Sequence, residues 1–279
     1  MRSDAAGPAT SPSPVRSRRA TALVSAALAV ALLSAPAPAA AVAAAAAADA
    51  DPARAQPPPA RTDTIATAAG PLTVTLLGHG TLMFTFAGRV VHVDPWSRVA
   101  DYDALPRADL ILVTHEHGDH LDPDAIAAVR DDSTGILANA AAAEQIVGAR
   151  ALANGDRATA GGIAVEAVPA YNLVHMRSGT TPYHPRGQGN GYVITFGDQR
   201  VYVAGDTENT PEMKALADID VAFLPMNLPY TMTPEMVADA ARAFRPTILY
   251  PYHYGDTDPQ ELVRLLEGSG IEVRVRAMR

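Results

Sequence analysis

The chain has no cysteine, which removes disulfides, thiolate metal ligands, a thiol nucleophile and a lipid anchor on cysteine together. Lysine is nearly absent too: Lys214 stands alone, and the formal charge is −8. Phosphate backbones are bound by clustered Lys and Arg, so so acidic a chain is not expected to bind nucleic acid. Long hydrophobic runs are also missing. The nearest, residues 20–35, is uncharged but mostly Ala and ends at Pro36. It falls short of the roughly 20 strongly apolar residues a membrane span needs, and no stable membrane anchor is expected.

What the N-terminus does have is the layout of a secretory signal peptide. Arg2, Arg16, Arg18 and Arg19 precede the apolar run, and small residues such as Ala37-Pro38-Ala39 follow it. The expected organisation is a signal peptide over residues 1–49, a disordered linker over 50–62 containing Pro57, Pro58 and Pro59, and one domain over 63–279. Export to the periplasm or beyond follows, and Ser17-Arg18-Arg19 resembles the start of a twin-arginine signal, which carries proteins out already folded. Cleavage after residue 49 removes four Arg and two Asp and takes the charge from −8 to −10.

Within the domain, strand-like runs at 72–77, 82–86 and 90–93 form a meander, with Ala87-Gly88-Arg89 as a tight turn. A strand at 109–114, a helix at 123–130 capped by Asp122 with Pro123 in its first turn, a strand at 135–138 and a helix at 140–147 follow. The second half repeats the scheme. It has a strand at 163–169, a long loop at 170–190, a hairpin at 192–204, and then helices near 211–216, 234–244 and 259–267 alternating with strands at 221–224, 247–250 and 271–275. Two meanders, each followed by strand and helix units, predict an α/β (α+β) fold of four layers, an αββα sandwich with two sheets inside and helices outside.

The stretch that organises the chemistry is Asp109 to Leu121. A Leu/Ile/Val run stops at Thr114, and His115, His117, Asp119 and His120 follow within six residues. In extended backbone, positions two apart share a side, so His115 and His117 can share one cation, while Asp119 and His120 suit a second. Imidazole and carboxylate together favour Zn, Mn or Fe over Ca or Cu(I). Glu116, between the two ligands, is expected to face away. Asp206 stands in a Gly-Asp-Thr turn after a strand, where Thr207 can bond a free oxygen of its carboxylate.

Thr114-His115-Glu116-His117-Gly118-Asp119-His120 resembles the His-x-His-x-Asp-His motif of the metallo-β-lactamase fold hydrolases. The likeness runs from Leu72 to about His253. Leu77-Gly78-His79-Gly80-Thr81 and Val93-Asp94-Pro95-Trp96 resemble the opening hairpins of the subgroup that includes ascorbate-phosphate lactonases and N-acyl-phosphatidylethanolamine phospholipases. The resemblance implies two divalent cations, zinc first with manganese or iron as alternatives, and a metal-activated bridging water that attacks an ester, lactone, amide or phosphodiester bond of a small molecule, with Asp119 catalytic. It also implies Asp206 as the bridging carboxylate and His253, in Tyr250-Pro251-Tyr252-His253, as the last ligand. Where many relatives carry a further His, this chain reads Val168-Pro169-Ala170-Tyr171-Asn172. His184, in a His-Pro pair on the long loop, is the replacement, with His175 as rival.

His79 and Asp94 are expected behind the ligands, Asp94 orienting an imidazole. His92 alternates with Val91 and Val93 and reads as exposed. Tyr171, Asn172 and Tyr254 are the expected substrate contacts, with Trp96 and Tyr230 as further loop candidates. Two readings compete with hydrolysis: an iron-dependent redox enzyme on the same scaffold, and a non-catalytic exported metal-binding protein. Oligomeric state is not legible.

Overall fold

The computed structural model describes residues 61–278. The expected leader, and the linker up to residue 60, lie outside the described residues. Strands β1 (Arg61–Thr67), β2 (Gly70–Gly78), β3 (Thr81–Phe86) and β4 (Arg89–Val93) form an antiparallel meander, and β5 (Leu110–Val113), β6 (Gly135–Ala138) and β7 (Arg150–Ala151) extend it in parallel, in simple sequence order. The second seven-stranded sheet comprises β8 (Arg157–Ala160), β9 (Ile163–Ala170), β12 (Gly189–Phe196), β13 (Gln199–Val203), β14 (Val221–Pro225), β15 (Ile248–Tyr252) and β16 (Glu272–Val273). Its first four strands are antiparallel and the rest parallel, so it repeats the scheme of the first sheet. Between β9 and β12 the long loop, expected to be irregular, folds a small hairpin of β10 (Met176–Ser178) and β11 (Thr181–Pro182).

The two periodicities of the sequence explain the layers. In β5 all four residues are buried: Leu110 and Leu112 face the core between the sheets with Val91, Val93, Ile163 and Phe223, while Ile111 and Val113 face α1 (Pro123–Val129) and α2 (Ala140–Ala143) through Ile126, Val129 and Ala142. A strand covered on both faces reads as a continuous apolar run, and each such side chain contributes about 1.5–3 kcal/mol on burial. On the far side α3 (Pro211–Lys214), α4 (Pro234–Phe244) and α5 (Pro259–Leu265) cover the second sheet, Phe244 packing its ring 6.1 Å from Tyr202. This is the αββα sandwich. Asp122 caps α1 as expected, its Oδ1 accepting from the N–H groups of Asp124 and Ala125, with Pro123 in the first turn. No helix among the described residues is long and apolar enough to cross a membrane.

Two expectations change. β1 begins at Arg61 rather than beyond the linker, an edge strand whose only buried residue is Ile65, which is why its pattern carries so little signal. His92 is fully buried, not exposed: the 3-10 turn at Tyr102–Ala104 covers that face of β4, with the Tyr102 ring 5.8 Å away. Its Nε2–H donates to the Pro106 carbonyl at 3.1 Å and its Nδ1 has no partner. Burial pushes its pKa down to about 4. Because the unfolded imidazole titrates near 6.5, the unfolded chain binds more protons between pH 6.5 and 4, and this histidine's contribution falls as pH falls through that window, by about 3 kcal/mol in all. Urea midpoints between pH 4.5 and 7.5 should therefore drop more steeply for the wild type than for His92→Gln; parallel curves would refute a buried neutral His92.

Parallel strands end on one rim of their sheet, and the chemistry collects there. β2, β4 and β5 deliver His79, Asp94 and the Thr114–His120 segment from the first sheet; β13 and β15 deliver Asp206 and His253 from the second. Backbone bonds stitch the rims together: His253 N–H donates to the His79 carbonyl at 3.0 Å, and Asn190 N–H to the Thr114 carbonyl at 3.0 Å.

Candidate metal centre

Three of the residues at the rim leave their strands through the left-handed region: His79 at φ 52°, Asp94 at 47° and His253 at 45°. Such backbone costs of order 1–3 kcal/mol per residue and persists only where surroundings impose it. The turn between β2 and β3 must also pass close to the imidazoles. A Cβ on Gly80 would stand 2.9 Å from His120 Cε1 and 3.3 Å from His253 Cδ2, so only glycine fits there.

The side chains converge in two groups that share one carboxylate. In the first, His115, His117 and His184 point ring nitrogens at one another, with 3.0 Å between His115 Nε2 and His117 Nδ1. In the second, His120 and His253 face each other Nε2 to Nε2 at 3.1 Å, with Asp119 Oδ2 3.5 Å from His253 and 3.8 Å from His120. Asp206 lies between the groups. Its Oδ2 is 3.3 Å from His184 and 3.9 Å from His115, and its Oδ1 is 3.4 Å from His253 and 3.5 Å from His120.

The opposite side of most rings is already tied down. Asp94 is fully buried and accepts three hydrogen bonds, from Thr114 N–H and Oγ–H at 2.7 Å each and from His120 Nδ1–H at 2.8 Å. With its proton committed to Asp94, the Thr114 hydroxyl oxygen accepts from His115 Nδ1–H at 3.0 Å. Asn172 Oδ1 accepts from His184 Nδ1–H at 2.7 Å. These bonds fix the tautomers, leaving Nε2 lone pairs aimed inward, the arrangement that orients metal-binding imidazoles.

Electrostatics ask for positive charge at the centre. Burial would strip the proton from His120, but the carboxylates of Asp206 and Asp94 outweigh it and raise its pKa to about 9. Burial, and behind it the charge on His120, keeps His115 neutral; burial and His184 lower His117. Asp206 Oδ1 is buried without a hydrogen-bond partner. Facing lone pairs about 3 Å apart repel unless a proton or cation sits between them, and tetrahedral zinc with Zn–N near 2.0–2.1 Å spaces its nitrogens by roughly 3.3 Å. The donor set therefore fits two divalent cations. A cleft of ≈ 180 Å³ opens beside the first group, lined by His117, His184, Glu116, Arg177, Tyr183 and Gln188. A larger depression of ≈ 420 Å³ over β8, β9 and β12 lies away from every one of these histidines.

A profile of the beta-lactamase superfamily domain matches residues 73–253. The chain belongs to the metallo-β-lactamase superfamily. It is a metal-dependent hydrolase of that superfamily, 30% identical over 227 residues to a UPF0173 metal-dependent hydrolase of Aeropyrum pernix, with 74% of this chain and 94% of the relative covered. Among solved structures it is similar to a protein of Parabacteroides distasonis to which metal-dependent hydrolase activity is ascribed, at 51% identity and a TM-score of 0.76, covering 79% of this chain and all of that one. A metallo hydrolase of Ignicoccus hospitalis shares the fold at 23% identity and a TM-score of 0.61, covering 74% and 94% of the two chains.

Against the sequence-based expectations, this hydrolase brings together His115, His117, Asp119, His120, His184, Asp206 and His253. His79 stands closer than expected: its Nε2–H donates to Asp119 Oδ2 at 3.0 Å and its ring lies 3.7 Å from that of His253. His175 is not at the centre; its Nδ1 bonds Glu208 at 2.7 Å. Glu116 turns away from the ligands toward Asn139, which donates to it at 2.8 Å.

Four placements differ. Thr207 donates to backbone carbonyls of Tyr171 and Glu208, not to Asp206, because its neighbour's oxygens point into the cluster. Tyr171 is buried with its hydroxyl donating to Glu212 at 2.8 Å, and Tyr254 is buried with its hydroxyl on the Arg276 carbonyl at 2.7 Å, so neither offers a free group to substrate. Asn172 is buried behind His184 rather than facing the cleft. Of the loop aromatics, Trp96 packs against His79 with ring centroids 5.0 Å apart and planes tilted by 47°, and exposed Tyr230 packs edge-on against Tyr183. Missed from sequence were the roles of Thr114, Tyr183 and Gln188, which carry no signal beyond adjoining strand ends, and of Arg177, which lies inside the short β10.

Proposed function

We propose that the protein hydrolyses an ester, lactone, amide or phosphodiester bond of a small molecule outside the cytoplasm, using two divalent cations, zinc in the first instance. The observation that carries this reading is Asp206, buried between two imidazole groups with one oxygen turned toward each. His115, His117 and His184 would hold one cation, Asp119, His120 and His253 the other, with Asp206 common to both. When bound, the pair supplies Lewis acidity that polarises the scissile oxygen and acidifies water.

The chain's own groups do the remainder. Asp119 has a side chain 35% exposed, so it can meet solvent and substrate. Burial pushes its carboxyl up, but hydrogen bonds from His253 and His79 outweigh this and hold it well below the usual carboxylate range. Its oxygens are thus acceptors at neutral pH, able to orient the proton of an attacking water and pass it to the leaving group. The small cleft beside His117 and His184 limits the reacting end of the substrate to a compact group. The leader pattern of residues 1–49 supports action after export.

The test is a panel of lactones, esters, amides and phosphodiesters, assayed on protein as purified, after chelation, and after reloading with zinc, manganese or iron. At least one class should turn over, stop on chelation, and resume with zinc. Stoichiometric iron, oxygen uptake and no hydrolysis would overturn the proposal.

A further inference from the structure

The most heavily bonded side chain near the centre is not one of its ligands. Glu208 is fully buried and accepts five hydrogen bonds. Its Oε1 takes Asn172 Nδ2–H at 3.0 Å and the backbone N–H and Nδ1–H of His175 at 2.7 Å each. Its Oε2 takes the N–H groups of Leu173 at 2.6 Å and Val174 at 2.7 Å. Burying a carboxylate is costly unless it is fully bonded, and here three consecutive backbone N–H groups curl around it. The loop entering β10 is folded around this one side chain.

Asn172 carries the effect onward. One end donates to Glu208 and to the Tyr230 carbonyl; the other, Oδ1, accepts both the backbone N–H of His184 at 2.8 Å and its Nδ1–H at 2.7 Å. The imidazole is left with Nε2 facing Asp206 Oδ2 at 3.3 Å. His175, the alternative ligand on the same loop, is held away from the centre by Glu208 itself.

We propose that Glu208 is the positioning residue for the first cation site: through Asn172 it sets the tautomer and aim of His184, and through residues 173–175 it sets the root of the hairpin that walls the cleft. The proposal rests on the two-cation reading of the centre. It makes the two sites unequal, since nothing in the group of Asp119, His120 and His253 bonds to Glu208. The geometry also singles out an isosteric probe. Both Glu208 oxygens receive only N–H donors, so a glutamine amide presents its NH₂ to other donors whichever way it is turned.

The experiment loads wild type, Glu208→Gln, Asn172→Ala and His184→Ala with zinc, removes excess, and measures bound metal; cobalt-loaded samples give visible spectra. Wild type should hold two ions. Glu208→Gln should hold one, with the other bound 10–100-fold more weakly, and its cobalt spectrum should match that of His184→Ala. Two ions at wild-type affinity in Glu208→Gln, or equal loss of both, would overturn the proposal. If Glu208→Gln does not fold, Asn172→Ala decides in the same way: one ion supports it and two at wild-type affinity overturn it. A wild type that binds no cation fails the two-cation reading itself, which keeps the two failures apart.

Discussion

Asp206→Asn should abolish turnover, lowering kcat/KM on the order of 10³-fold or more, and should lose most of the rise in melting temperature that zinc gives the wild type. The carboxylate lies between the imidazole groups with Oδ1 lacking any hydrogen-bond partner, and in ion-free protein its charge is balanced by His120, whose pKa it raises, so the telling quantity is the difference between melts with and without zinc. Its charge is what two cations would share. Ligand binding to the native state alone stabilises by about 4 kcal/mol at a thousandfold excess over Kd, and the variant should forfeit most of that gain. Thermal melts with and without zinc, run beside activity and metal analysis, test both halves. Full metal content with full activity would end the dinuclear account.

Asp94→Ala should damage the fold as well as the site. Its carboxylate is fully buried and receives the Thr114 N–H, the Thr114 hydroxyl and His120 Nδ1–H. Removing it leaves donors of the ligand-bearing loop unpaired, and breaking a buried pair of this kind costs about 3–5 kcal/mol. Metal affinity should fall 10–100-fold as His120 loses its orientation. The sign of the pH dependence is also fixed. The folded pKa of His120, raised by Asp206 and then Asp94 to about 9, stands above the unfolded value near 6.5, so its pairing with the two carboxylates, Asp94's share included, contributes fully below pH 6.5 and fades as pH rises through 9. In ion-free protein the deficit of Asp94→Ala should therefore shrink between pH 6.5 and 9, leaving the part due to Thr114. Urea titrations at pH 6, 7.5 and 9 measure this. A variant within 1 kcal/mol of wild type and unchanged in zinc affinity would show that Asp94 holds nothing.

Much of this architecture is legible in the sequence because the elements that build it obey strong local rules. The Leu110–Val113 run is apolar on both faces and stops at a cluster of ligand residues, which announces a buried parallel strand ending at a site. α4 begins and ends where its sequence signals say, with Thr233 capping Met236 N–H and Pro234 in the first turn. The failures are long-range. His92 follows an alternating pattern that normally marks an exposed position, and only the turn at 102–104, which arrives later in the chain, buries it. Asn172 and Glu208 are ordinary polar loop residues until folding brings positions 36 residues apart within 3.0 Å. Local pattern cannot distinguish a loop asparagine that meets substrate from one that holds a histidine from behind.

The rim bonds between the two sheets have a consequence for how the molecule holds together. His79, His115, His117, Asp119 and His120 come from the first repeat of meander and parallel strands, and His184, Asp206 and His253 from the second. Neither repeat supplies all of these side chains, and among the described residues Asp206 is the only carboxylate that reaches into both groups. Cations held there would act as a rivet through two plates of one chain: cleavage between β7 and β8 would leave fragments that become competent only as a reassembled pair, with metal retention as the sign that the plates have closed.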